Sequence, residues 1–116
     1  MHFKLIIALT EDSITNKIVE AARHRGATGS TVIPSARGEG LMATKSFLGL
    51  NLATQRDVIL LLVEEHLSRA ILETIEKAGE FEAHPGSGIA FSIDVEDAVG
   101  VAAQVRQLTE LVEEEI

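Results

Sequence analysis

The chain has 116 residues and a mass of 12.5 kDa, the size of one domain. Ten Lys and Arg against 18 Asp and Glu leave a net charge of −8, which argues against a nucleic-acid partner or an anionic membrane surface, because phosphate binding needs local positive charge. No cysteine is present, so disulfides, thiolate nucleophiles and cysteine-based metal centres are excluded. The apolar runs are too short to span a bilayer, and no signal-peptide pattern opens the chain; a cytoplasmic protein without membrane insertion is expected.

Residues 3–10, Phe-Lys-Leu-Ile-Ile-Ala-Leu-Thr, are short and nearly all apolar, the pattern of a strand covered on both faces. Asp12 and Ser13 can cap the helix that follows, in which Ile14, Ile18, Ala21 and Ala22 share one face and Gly26 suits the stop. Residues 28–35 form a second strand, with Pro34 at a position that suits an edge or a bulge, since proline cannot donate to a ladder. From 36 to about 56 there is no clear periodicity, about the longest structureless loop a compact domain carries, and such loops are usually functional. Six apolar residues in a row, Val58 to Val63, mark a buried strand over 57–65. A helix over 66–78 follows, with Leu67, Ala70, Ile71, Ile75 and Ala78 inward and Gly79 as its stop. After the turn Pro85-Gly86-Ser87-Gly88, the residues Ile89, Phe91, Ile93 and Val95 alternate with Ala90, Ser92, Asp94 and Glu96, a strand with one wet face. A short extra strand over 99–101 and a C-terminal helix over about 102–115, with Val105, Leu108 and Val112 inward, complete the chain.

This order predicts an α+β fold, a ferredoxin-like βαββαβ sandwich forming a single domain over 1–116, with a long loop between strands 2 and 3 and a C-terminal helix. The strand order is 4-1-3-2, because strands 1 and 3 are the apolar runs and strands 2 and 4 have edge character. Two helices cover one face of such a sheet, yet both parities of the central strands are apolar: Leu5 and Ile7 against Ile6 and Ala8, and Val58, Leu60 and Leu62 against Ile59, Leu61 and Val63. One parity needs a second cover, from the C-terminal helix or a neighbouring copy. Keeping Ile59, Leu61 and Val63 from water is worth roughly 5–9 kcal/mol, and soluble monomers rarely leave such a patch exposed. A closed homo-oligomer with clefts between its subunits is the expectation.

Three segments resemble the PII signal-transduction (nitrogen regulatory) family and its PII-like branch. Residues 28–32, Thr-Gly-Ser-Thr-Val, are similar to the family's Thr-Gly-Met-Thr-Val. Residues 37–40, Arg-Gly-Glu-Gly, are similar to the Gly-x-Gly that opens the family's mobile loop, placed here at about 38–56. Residues 85–95 are similar to Gly-Asp-Gly-Lys-Ile-Phe-Val-Phe-Asp-Val. The resemblance implies a homotrimer that binds a small effector, an adenine nucleotide among the candidates, in inter-subunit clefts, and a loop that signals to a target protein such as a transporter or enzyme. Thr31, Gly38, Gly40, Gly86 and Gly88 would line the cleft by position. Arg37, whose fork suits an anion, Glu39 and Ser87 join them as candidate effector-binding residues. Ile89 stands where the family has a phosphate-contacting Lys, Gly100 and Ala102 fall near its two Arg residues, and the absence of Tyr excludes modification of a loop tyrosine.

No catalytic or metal site is expected. Asp94 and Glu96 point the same way on a strand, but no nucleophile or base can be placed beside them; with Asp97 they read as a wet face, and Glu64 and Glu65 as solvated charge. His2, His24, His66 and His84 form no helical ligand pair. The alternatives are a metal-associated trimer resembling the cation-tolerance proteins and a small ferredoxin-like enzyme.

Overall fold

The computed structural model describes the backbone of residues 1–36, 46–47, 50–51 and 56–115, and the side chains of residues 1–34, 56–107 and 109. The described strands are β1 (Phe3–Glu11), β2 (Thr31–Ala36), β3 (Ser46–Phe47), β4 (Leu50–Asn51), β5 (Arg56–Glu64) and β6 (Gly88–Val95). The helices are α1 (Thr15–His24), α2 (Glu65–Gly79) and α3 (Ala102–Glu115). Four strands form an antiparallel sheet in the order β2-β5-β1-β6, the ferredoxin-like arrangement expected. The apolar runs are central and the Pro34-bearing and alternating strands are the edges. The β2–β5 register shifts between Ile33 and Ala36, where Pro34 withholds its ladder donor.

Several local expectations are corrected. Asp12 and Ser13 do not cap α1: they lie in a single 3-10 turn, Asp12–Ile14, and no side-chain cap bond is made. Thr15 opens the helix instead, its hydroxyl donating to Asp57 Oδ2 at 2.7 Å. Gly79 is the last residue of α2, and Glu80 takes the left-handed position at φ 53°. Gly79 has a packing reason, for a Cβ there would overlap the Phe81 ring. Within the long loop, β3 and β4 pair; two residues a side are too few to leave a period in the sequence. No strand occurs at 99–101, since Gly100 at φ 79° turns the chain toward α3. Glu64 is not solvated: it is 2% exposed, and its carboxylate caps α2 by accepting the His66 backbone N–H at 2.8 Å.

Strand parity decides where the core sits. Ile6 opposes Leu61 and Ala8 opposes Ile59 on the face covered by the helices. There they meet Ile18, Ala22, Leu67, Ile71 and Ile75, all fully or nearly fully buried. The set Ile59, Leu61 and Val63 is therefore the one the chain covers by itself. The opposite parity, Leu5, Ile7 and Leu9 with Val58, Leu60 and Leu62, forms the other face and is only half-buried. On β6, Ile89, Phe91 and Ile93 pair with Leu9, Ile7 and Leu5 and join that open face, Ile93 being 48% exposed. The described part of α3 contributes Val105 to the core edge, while Ala102, Ala103, Arg106 and Gln107 are exposed.

Candidate functional site

One end of the sheet gathers the polar residues. Glu11 ends β1, Arg56 begins β5, and Ala36 ends β2; Arg56 pairs with Glu11 on one side and Ala36 on the other. By parity Arg56 and Glu11 belong to the same face as Leu9 and Val58. The turn 84–88 closes over this end. Ser87 N donates to His84 O at 3.0 Å, and Gly86 adopts φ 87°, a conformation for which glycine is suited. Arg56 is buried, at 2% exposure. Its Nη2 donates to Gly86 O at 3.0 Å, its Nη1 donates to Ser87 O, and Nη1 lies 3.8 Å from Glu11 Oε1. A buried guanidinium is tolerated only when its donors are met, and two consecutive carbonyls suit its planar fork.

Beneath this end, on the helix-covered face, Thr10 pairs with Asp57 and with Gly88. Thr10 is fully buried, and its Oγ1 has no hydrogen-bond partner among the described residues, as is also true of Ser87 Oγ. The Phe81 ring fills the space above Gly88, where a Cβ would overlap it. Gly88 is thus a close-packing glycine as well as a candidate ligand contact. A cleft of about 640 Å³ runs outward from here between α2 and β6, lined by Arg69, Glu73, Glu76, Lys77, Phe81 and residues 88–90 among others.

The structure brings Gly86 and Ser87 together on Arg56, with Gly88 next to them at the start of β6, paired with Thr10. Arg37, Gly38, Glu39 and Gly40 lie outside the described residues, as does most of the 38–56 loop; the last residue before them, Ala36, is on the Arg56 rung. Thr31 lies elsewhere. It pairs with Leu60, in the row that continues through Ile7 to Phe91. With strands about 4.8 Å apart, β2 and β6 are separated by about 14 Å, so a single chain does not bring Thr31 and Gly86–Gly88 onto one small ligand. Ile89 points with Leu9 into the open face, and Gly100 and Ala102 are exposed beyond β6. Arg56 is the residue that sequence reasoning missed. Its signal is a lone Arg closing a long loop without periodicity just before an apolar strand, but Arg37 and Lys45 are the cations nearest the loop's glycines and the more obvious candidates.

Two ionic groups lie apart from this end. His66 Nδ1 is 2.5 Å from Glu64 Oε1, and this hydrogen bond, with the carboxylate's charge, raises the His66 pKa above its ordinary value. With Glu65 these are metal-type ligands within 4.8 Å of one another, but Glu64 is committed to capping α2. At the far end of β6, the Lys4 ammonium 3.0 Å from Asp94 lowers the Asp94 pKa, with His2 adding to it. No described helix is long and apolar enough to cross a membrane.

The model of the family described as nitrogen regulatory protein P-II matches residues 3–105. Among curated proteins nothing matches. Among solved structures, the apo form of CPII from Thiomonas intermedia K12, a nitrogen regulatory PII-like protein, is similar over 82% of this chain and 90% of its own, with 22% identity and a TM-score of 0.64. A putative PII-like signalling protein from Thermus thermophilus covers 82% and 87%, with 26% identity and a TM-score of 0.59. CPII bound to ADP, AMP and acetate covers 83% and 90%, with 23% identity and a TM-score of 0.60.

Proposed function

Since the chain belongs to the nitrogen regulatory protein P-II family, we propose that it is a cytoplasmic signalling protein that binds an adenine nucleotide, ADP or AMP in kind, in the clefts of a homotrimer. Its state passes through the 38–56 loop to a partner protein, a transporter or an enzyme. Thr31, Arg37, Gly38, Glu39, Gly40, Gly86, Ser87 and Gly88 contact the effector, and the protein acts by binding rather than by catalysis.

The observation that carries this reading is the distance between Thr31 and Gly86–Gly88 on the two edges of an open apolar sheet face. A cleft that uses both must draw them from two copies. The same face supplies the drive to assemble, because half-buried Leu, Ile and Val gain roughly 25 cal/mol per Å² of further area removed from water. The nucleotide class is supported by the printed ligands of the similar protein CPII, ADP and AMP. It is also supported by charge: Ile89, Gly100 and Ala102 carry no cation, and the triphosphate has the most charge to neutralise.

Sedimentation of a dilute sample, with calorimetric titration of ADP, AMP and ATP, tests the reading. The expected particle has three times the 12.5 kDa chain mass. ADP or AMP binds more tightly than ATP, and Gly40→Val weakens nucleotide binding while leaving the mass unchanged. A well-folded 12.5 kDa particle, or a trimer indifferent to all three nucleotides, overturns it.

A further inference from the structure

Glu11 is the last residue of β1 and stands between parts of the candidate site. On one side it pairs with Arg56, whose other neighbour is Ala36 at the end of β2. On the other side Thr10 pairs with Gly88, so the next residue out on each strand puts Ser87 beside Glu11. The Glu11 carboxylate lies 3.8 Å from Arg56 Nη1, which also donates to Ser87 O. The two halves of this ion pair are not equally accessible: the Arg56 side chain is 3% exposed and that of Glu11 38%. Glu11 shares strand parity with Leu9 and so belongs to the open face, with Ile89. A ligand that reaches the turn from that face meets the carboxylate, while the guanidinium is buried and bonded to the carbonyls of Gly86 and Ser87.

We infer that Glu11 is a specificity-determining residue of the effector site: its carboxylate, presented beside Ser87 on the open face, repels the outer phosphates of a nucleotide and holds the site to monophosphates and diphosphates. This rests on the effector reading above, and it adds the group that rejects the wrong ligand. Ile89, Gly100 and Ala102 only withhold attraction. Discrimination between ligands that share a base and a ribose is sharpened by an element that opposes one of them. Each further phosphate brings another negative charge toward a carboxylate already in place. Like charges a few ångströms apart at a partly wet site shift affinity by about tenfold.

The test is calorimetric titration of AMP, ADP and ATP in magnesium-free buffer, on the full chain as wild type, Glu11→Gln, Glu11→Asp and Glu20→Gln. Glu11→Gln keeps the shape of the side chain and removes its charge, and it should raise ATP affinity relative to AMP by about tenfold. Glu11→Asp keeps the charge and should keep the wild-type preference. Glu20→Gln makes the same change in net charge on α1, where Glu20 accepts from Arg23, and should leave the ratio unchanged. In the wild type, raising the ionic strength from about 0.01 to 0.1 M should narrow the preference for AMP, because the Debye length falls from about 30 to 10 Å. This measurement needs no variant to fold. A ratio that Glu11→Gln leaves unmoved, or that Glu20→Gln moves equally, overturns the assignment. So does a Glu11→Asp variant that behaves as Glu11→Gln, or a wild-type preference for AMP that widens with salt. A wild type that binds no nucleotide while Glu11→Gln binds ATP defeats the nucleotide reading and leaves Glu11 as the excluding group. If neither binds, both readings fall.

Discussion

Ile59 and Leu60 are neighbours on β5 with side chains of nearly equal size, and they face different surroundings. Ile59 is fully buried between the sheet and the helices; Leu60 is half-buried on the face that no described helix layer covers. The same holds along β1 for Ala8 against Ile7. On β6 the asymmetry reverses what burial within one chain would ask. Its apolar residues Ile89, Phe91 and Ile93 share the open face, and Ala90, Ser92 and Asp94 share the helix side. A strand that served only the core of one chain would point its large residues inward. On β6 only Val95, paired with buried Phe3, packs against the core among the large apolar residues; Ile89, Phe91 and Ile93 go to the open face, and a second copy is what the proposed function sets against it.

The comparison breaks most sharply at Leu61 and Leu60. Leu61→Ala should cost about 2–5 kcal/mol of unfolding stability through the cavity it leaves, read by denaturant unfolding with unchanged slope. Leu60→Asp should leave the far-ultraviolet spectrum of the chain near that of the wild type and reduce the sedimenting mass to that of one chain. If Leu60→Asp unfolds the chain as Leu61→Asp would, the two faces are not distinct and assembly is not what the open one serves.

A smaller effect tests the helix-covered side at its rim. Gly88→Ala should cost about 1–3 kcal/mol, because the new methyl meets the Phe81 ring in a packed setting. In a Phe81→Leu background the cost should shrink, giving a coupling energy in a double-mutant cycle. Equal costs in the two backgrounds would remove the packing explanation for Gly88.

The smallest effect is electrostatic and concerns the cap that starts α2. The Glu64 carboxylate raises the His66 pKa in the folded chain. The stability this pair adds is therefore fully present below the unfolded His value near about 6.5, and it is lost as pH rises through the raised folded value. The melting temperature of wild type minus that of His66→Gln should be positive at about pH 5.5 and shrink by about pH 8.5, on either side of that value. His66 is exposed, so added salt should shrink it as well. A difference that grows with pH would show that the ion pair is not what His66 supplies.

Local pattern carried much of the architecture. Apolar runs against alternating ones sorted central strands from edges, and Pro34 marked the β2 irregularity, because those features follow from covering and pairing a strand. The missed details share a cause. Thr15 opens α1 in place of a cap from Asp12 or Ser13 because Asp57, far off in sequence, accepts its hydroxyl. Gly79 yields the left-handed position to Glu80 because Phe81 packs where a Cβ would go. Glu64 is buried because it serves as a cap, which a run of two acidic residues does not reveal. At the candidate site, the turn at 86–88 was legible from its glycines, while Arg56 was not, since nothing local distinguishes an arginine that bonds to carbonyls thirty residues away from one that ends in water.

By itself the sequence determined the order of the four sheet strands and the helices that follow them, the family likeness, and that both parities of the central strands are apolar, since hydrophobicity and period are properties of residues in line. Only the tertiary structure decided which parity the helices take, that β6 turns its large residues to the other side, and that Thr31 and Gly86–Gly88 fall on opposite edges. Those follow from register, and register is set by pairings between strands distant in the chain, where a slip of one residue exchanges the two faces.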